Sequence, residues 1–204
     1  MVARWRVLVQ RAGYGRLVTL SPETAAMLTA HDLLDRLLHT YRKPLADELS
    51  GYANHCRRML SFCLALAPQA GIEDQHKLAI AAAFHDIGLW TDDTLDYLPP
   101  SVQLAADYLS ASGHAGWIEE VGLMISEHHR LRPVRDARYP LVEVFRRADL
   151  VDFSRGMYTA GLPRSLIRAQ QALFPNAGFH RMLARRGLRW MARHPLRPLP
   201  MLKW

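Results

Sequence analysis

Cysteine is scarce in this chain, whose 204 residues include only Cys56 and Cys63. Seven residues along a helix span about 10 Å, which is too far for a disulfide. We therefore expect two buried thiols in a reducing compartment. Long apolar runs are also missing, because none approaches the roughly 18 residues of a membrane span. The apolar run within residues 1–13 is too short for a signal peptide. These absences predict a soluble, cytoplasmic protein.

Acidic residues are absent from residues 154–204, which carry nine arginines and one lysine. The first 153 residues have sixteen basic and nineteen acidic residues, a net charge of −3. Such a basic tail suggests an anionic partner: a phosphorylated substrate, a membrane surface or a nucleic acid. For the helical part of the tail, the preferred interpretation is a solvated helix face packed on the domain.

Half of the residues are hydrophobic and 22% are charged, as in a folded domain with a substantial core. Apolar periodicity and breaks at Pro and Gly predict an all-α helical bundle. The predicted helices lie near 22–41, 45–67, 73–87, 101–112, 115–130, 139–153, 163–173 and 178–193. Residues 1–20 alternate apolar and polar side chains, and form either a short β-hairpin or an N-terminal arm. We expect one domain over 1–204, with a core at 45–155 and a basic helical extension at 156–204.

The stretch AAAFHDIGLW, residues 81–90, places His85 and Asp86 at the end of an apolar, alanine-rich helix. A carboxylate in dry surroundings either becomes neutral or pairs with a cation. The negative potential at a helix C-terminus also favours a cation.

Other helices supply partners for such a cation. His55 precedes an apolar stripe, and Asp149 lies four residues after Phe145, on the apolar face of VFRRADLVDF. Asp152, one turn further on, is the closest rival of Asp149. Two imidazoles and two carboxylates are ligands that suit Zn, Fe, Mn, Co, Ni or Mg.

The order His55, His85–Asp86, Asp149 resembles the HD-domain superfamily of metal-dependent phosphohydrolases. HDIG is a common form of its core motif, RADLVD looks like its last aspartate motif, and the resemblance covers about 45–155. It implies an HD-like helical bundle in which these four residues hold a divalent metal that activates water against a phosphoester. It also implies that Asp86 takes part in catalysis by bridging to a second metal where one is bound.

Two-metal members of the superfamily add histidines before the last aspartate, and this chain offers His114, His128 and His129 in that interval. On a continuous helix His128 and His129 lie on neighbouring faces, so either could point inward. The alternatives are a loop position for His114 and a phosphate-contacting wall for the histidine pair. One or two metals per chain are therefore predicted.

Further catalytic candidates flank these ligands. Arg58 could clamp a phosphate oxygen, Arg130 and Arg132 are weaker candidates, and Asp92 or Asp93 could act as general acid or base. A loop pair that caps a turn is the alternative for the two aspartates. In the HD-GYP cyclic-dinucleotide phosphodiesterases, HDIG continues with Lys, whereas Leu89 follows here and the GYP stretch is missing. This argues against a cyclic-dinucleotide specialist.

The predicted function is hydrolysis of a phosphomonoester or phosphodiester of a small metabolite or nucleotide. One alternative is a di-iron oxygenase on the same scaffold, which a few relatives represent. Another is a non-catalytic module that binds metal or nucleotide and uses its basic tail on an anionic surface.

Overall fold

A computed structural model describes residues 5–11, 14–20 and 29–203, with side chains from residue 29 onward. Two strands, β1 (Trp5–Arg11) and β2 (Tyr14–Leu20), pair antiparallel with Trp5 opposite Leu20. This is the hairpin alternative for the N-terminal segment. The predicted helix start at Ser21–Glu23 lies outside the described residues.

The other regular elements of the described chain are helices, which confirms the all-α prediction. The helices are α1 (Ala30–Thr40), α2 (Arg42–Leu45), α3 (Leu49–Leu66), α4 (Ile72–Phe84), α5 (Gly88–Thr91), α6 (Leu98–Ser112), α7 (Ile118–Glu127), α8 (Pro140–Phe153), α9 (Arg164–Leu173) and α10 (Phe179–Arg193). Short 3₁₀ turns at Ala46–Glu48 and Ala115–Trp117 precede α3 and α7. Among the described residues, no helix combines the length and apolarity needed to cross a bilayer.

Helix boundaries differ from the predicted ones where local chemistry permits a different turn. Helix α6 begins at Leu98, with Pro99 and Pro100 in its first turn, because proline is tolerated where the N–H groups need no intrahelical partner. Helix α1 begins after Thr29, whose hydroxyl accepts a hydrogen bond from the Asp32 backbone in a capping box.

The core surrounds α4, whose residues from Leu78 to Phe84 are all buried. Helices α1, α3 and α7 pack on α4, and α8 packs against α3 and α7. A helix that is apolar all round has to be buried, as the sequence of this segment indicates. The end of α4 therefore lies inside the bundle, where α3, α7 and α8 can all reach it.

The basic tail packs on the same domain. Arg185 and Arg186 pair with Glu48, while Arg197 pairs with Asp96 and Lys203 with Glu127. The Leu131 N–H donates to the Lys203 carbonyl, which fixes the last described residue beside the core. Part of the tail's positive charge is thus matched by acidic residues of the same chain, and contact with a membrane or nucleic acid stays a prediction.

Candidate metal centre

The His85–Asp86 pair lies in the tight turn between α4 and α5, and both side chains are buried. Tyr52 on α3 holds this turn, since its hydroxyl donates to the Ala83 carbonyl and accepts from the Asp86 N–H. Gly88 is required for close packing, because a Cβ there would lie 2.6 Å from the Tyr97 carbonyl oxygen. The glycine of HDIG therefore lets the start of α6 close over the turn.

Two imidazoles converge beside Asp86. Nδ1 of His85 lies 2.9 Å from the Ala82 carbonyl oxygen, which can only accept, so Nδ1 carries the hydrogen and Nε2 presents a lone pair. Nδ1 of His55 likewise donates to Asp152 Oδ2 at 2.7 Å. The two Nε2 atoms are 3.0 Å apart, and Asp86 Oδ2 lies 3.3 Å from that of His85. This is a donor arrangement suited to a cation.

A second ligand group shares Asp86. His128 donates from Nδ1 to the Ile125 carbonyl at 2.7 Å, and its Nε2 lies 3.5 Å from Asp86 Oδ1. Neither His128 Nε2 nor Asp86 Oδ1 has a hydrogen-bond partner among the described residues, although both atoms are buried. In each of the groups His55–His85–Asp86 and Asp86–His128–His129, one ligand atom per residue lies within 4.8 Å of the others. A buried imidazole nitrogen and a buried carboxylate oxygen without hydrogen-bond partners are atoms that can bind a divalent metal.

Asp149 and Asp152 lie on the same helix, α8, but face different partners. Asp149 lies between the two ligand groups, with Oδ1 3.7 Å from His55 Nε2 and Oδ2 3.9 Å from His129 Nδ1. Asp152 lies behind His55 and accepts two hydrogen bonds from Arg58, at 2.6 and 2.7 Å. The geometry therefore supports Asp149 as the ligand and Asp152 as the group that orients His55.

The two carboxylates that face the ligand groups respond differently to burial. Burial raises the pKa of Asp149, and its histidine neighbours offset this only in part. Burial also acts to raise the pKa of Asp86, but the neighbouring imidazoles of His85 and His128 bring it well below its usual range. Asp86 is thus the more strongly stabilised anion, as a carboxylate shared by two ligand groups should be.

Three of the predicted catalytic residues lie outside the ligand cluster. Arg58 is buried, and each of its guanidinium nitrogens donates to Asp152 or to the Phe174 carbonyl. Asp92 accepts from the Thr91 hydroxyl, and the exposed Asp93 pairs with Arg186. The geometry therefore favours a structural position for these residues over the predicted clamp and acid–base roles.

Of the three histidine candidates, two reach the ligand cluster and one does not. Helix α7 ends at Glu127, not at residue 130 as predicted. His128 and His129 lie in the turn that follows the helix, and both reach the cluster. His114 packs against Trp117, at 4.4 Å between ring centroids, and belongs to neither ligand group. His128 and His129, both predicted as candidate ligands, therefore belong to one ligand group with Asp86.

A cavity of about 750 Å³ opens onto the cluster and includes His55, Asp86, His128, His129 and Asp149 in its wall. Arg130 and Arg146 also line it, whereas Arg132 does not.

Sequence reasoning missed two aromatic residues of this cavity wall. The Tyr97 hydroxyl lies 2.6 Å from His129 Nε2, and Phe179 stacks on His55 at 4.3 Å. Burial, followed by the charges of Asp86 and Asp149, raises the pKa of Tyr97 well above its usual range. Tyr97 therefore stays a neutral hydroxyl beside the ligands. The only local signal for it was its position eleven residues after the His-Asp pair.

One comparison with known protein families agrees with this geometry. The family model described as HD domain matches residues 52–154, just over half of the chain. No curated protein and no solved structure matches the chain. The matched range begins three residues before His55 and ends just after Asp152, so it spans both ligand groups. The chain belongs to the HD domain family.

Proposed function

We propose that this protein is a metal-dependent hydrolase of phosphomonoesters or phosphodiesters. The observation that carries the proposal is the sharing of Asp86 between two ligand groups. One carboxylate oxygen faces His55 and His85, and the other faces His128. A carboxylate placed in this way can hold two cations, and two-metal sites suit displacement at phosphorus.

A bound divalent metal would lower the pKa of water and polarise a phosphoryl oxygen. In the hydrolysis, a water oxygen bonds to phosphorus, the P–O bond to the alcohol breaks, and the alcohol leaves with a proton. Arg130 lines the cavity and keeps a buried Nε without an acceptor among the described residues. That donor is available to an anionic phosphate oxygen.

The residues around the ligands fix which nitrogen of each imidazole is free. Backbone carbonyls orient His85 and His128, and Asp152 orients His55. The Tyr97 hydroxyl lies 2.6 Å from His129 Nε2. If that hydroxyl accepts the Nε2–H of His129, the lone pair of His129 Nδ1 is free on the side of Asp149, whose Oδ2 lies 3.9 Å from it. The chain thus orients the four proposed histidine ligands before a metal binds.

The test is the metal content of purified protein for wild type, His85→Ala and Asp149→Ala, with His194→Ala as an exposed-histidine control. We expect at least one metal in wild type and in the control, and loss in the other two variants. Hydrolysis of 4-nitrophenyl phosphate and bis(4-nitrophenyl) phosphate is then measured with Mn, Fe, Zn, Co, Ni or Mg. Absence of metal under all loading conditions would overturn the proposal.

A di-iron oxygenase remains the second candidate, because the group Asp86–His128–His129 provides the second metal position that this chemistry needs. Protein loaded with two irons per chain would consume oxygen in the presence of a reductant and a substrate, without releasing phosphate from an ester. A hydrolase would cleave phosphoesters under anaerobic conditions. Phosphate release under argon therefore separates the two functions.

A further inference from the structure

We propose that the substrate of this site is a phosphoester with an apolar chain, and that the chain occupies the cavity beneath the C-terminal cover. The cover is defined as α10 together with residues 194–203. This inference rests on the proposed function, since it places the phosphate at the metal ligands.

The wall of the cavity has two chemically different parts. One part carries the histidines and aspartates described above. Away from them the wall is formed mainly by aliphatic and aromatic side chains, such as Leu95, Leu150, Leu183, Met191 and Met201. A ligand that fits both parts of the wall has an anionic head and an apolar body.

The remaining polar side chains of the wall already have partners in the chain. Arg146 donates to Glu143 through two nitrogens, and His180 contacts the Phe153 carbonyl. Tyr97 bonds to His129, and Arg130 pairs with Glu127 while its free Nε is assigned to the phosphate. A nucleoside would bring hydroxyl and base groups into this wall with few partners, and unpaired buried polar groups are costly. An alkyl chain has no such requirement.

The mouth of the cavity is apolar as well. Five large hydrophobic side chains of its wall are between 41% and 65% exposed: Leu131, Phe153, Leu188, Leu199 and Leu202. Exposed apolar side chains that gather around one opening indicate a binding surface more than scattered single residues do.

The cover is amphipathic and is attached at its edges. Its charged residues Arg186, Arg197 and Lys203 pair with acidic residues of the core. Its apolar residues meanwhile line the cavity. The apolar residues of the cover and the ligand cluster line the same cavity. A phosphoester held at the ligands would therefore place its own chain against the apolar wall.

Gly187 provides a direct test, because it lines the cavity and a Cβ built there meets nothing within 4 Å. Gly187→Leu places a larger side chain in the cavity, which leaves less space for a ligand. The substitution also improves helix propensity. Gly116→Leu is the matched control, since Gly116 is equally open but is exposed and does not line the cavity.

The experiment measures binding of methyl-, butyl- and octylphosphonate to metal-loaded protein by calorimetry, together with hydrolysis of methyl and octyl phosphate. We expect affinity to rise by up to about fourfold per buried methylene in wild type and in Gly116→Leu. The octyl-to-methyl affinity ratio should fall at least tenfold in Gly187→Leu. Leu188→Glu, at the exposed mouth, should lower the same ratio without depending on how the cavity repacks.

Equal affinities for the three phosphonates, with methyl phosphate still hydrolysed, would overturn the inference and leave the proposed function intact. An unchanged ratio in both Gly187→Leu and Leu188→Glu would overturn it as well. Chain-length-dependent binding without hydrolysis of either ester would support the apolar site and count against the proposed function.

Discussion

Asp152→Asn should destabilise the metal-free protein and weaken metal binding, although we do not propose Asp152 as a ligand. The buried carboxylate accepts hydrogen bonds from Arg58 Nε and Nη2 and from His55 Nδ1, at 2.6 to 2.7 Å. Asparagine has nearly the same shape but only one accepting oxygen and no charge. Arg58 would therefore remain buried without its counter-charge.

The expected loss of stability in Asp152→Asn follows from the pKa of the Asp152 carboxylate. Burial acts to raise the pKa of Asp152, but hydrogen bonds from Arg58 and His55 lower it from 3.8 to about 2. At about 1.4 kcal/mol per pKa unit this corresponds to roughly 2.5 kcal/mol. Removal of one partner from a buried ion pair typically costs about 3–5 kcal/mol. We therefore expect the free energy of unfolding to fall by about 3 kcal/mol.

The effect depends on pH in a defined direction. A lowered folded-state pKa stabilises the protein fully at pH values above the unfolded-state pKa, and this contribution is lost as pH falls toward 2. The difference between wild type and Asp152→Asn should therefore be constant from pH 7 to about pH 5 and shrink below about pH 4. Urea denaturation of chelator-treated protein at pH 7, 5 and 3.5 measures it.

Asp149→Asn is the matched control, three residues earlier on the same helix. Burial raises the pKa of Asp149, so its charge opposes folding above the unfolded-state pKa, and the neutral variant should be at least as stable without metal. Metal affinity should fall about 10–100-fold in Asp152→Asn and further in Asp149→Asn, which removes a ligand. Equal losses of stability in the two variants, or wild-type metal affinity in Asp152→Asn, would refute this assignment of roles.

Three other perturbations test separate parts of the structure. Gly88→Ala places a Cβ 2.6 Å from a backbone oxygen and should destabilise by about 1–3 kcal/mol in thermal unfolding, whereas Gly187→Ala should stabilise by about 0.5–1 kcal/mol. Unchanged melting of Gly88→Ala would contradict the packing at this turn. Tyr97→Phe should reduce phosphoester turnover about tenfold or more with little change in unfolding, because it removes the hydroxyl that orients His129; full activity would exclude that role. Burial raises the pKa of the Cys56 and Cys63 thiols, so a thiol reagent should label neither in the native protein and both in urea.

Much of the site could be predicted from the letters, because its chemistry is carried by local patterns. A carboxylate such as Asp86, at the end of an alanine-rich helix, either becomes neutral or pairs with a cation when that helix is buried. The apolar face of VFRRADLVDF restricts the last ligand to Asp149 or Asp152. The resemblance to the superfamily's last aspartate motif favoured Asp149, and the packing of α8 supports that choice by placing Asp152 behind His55.

The roles of other residues depend on contacts between distant parts of the chain. Arg58 lies three residues from His55, as the spacing indicates, but its pairing with Asp152 results from the packing of α3 against α8. His128 and His129 reach the cluster together because α7 ends at Glu127, a boundary that no Gly or Pro marks in the sequence.

Periodicity and composition were enough for an all-α bundle with His85–Asp86 at its centre, because burial of an apolar helix and the need to pair its polar end are local consequences of sequence. Packing of the basic tail on its own domain was expected, but the position of the cover beside the ligands was not predictable in this way. An amphipathic basic helix can be exposed to solvent, bind a membrane or pack on its own domain. Only tertiary packing brings Phe179 against His55 and turns the apolar face of α10 toward the ligands.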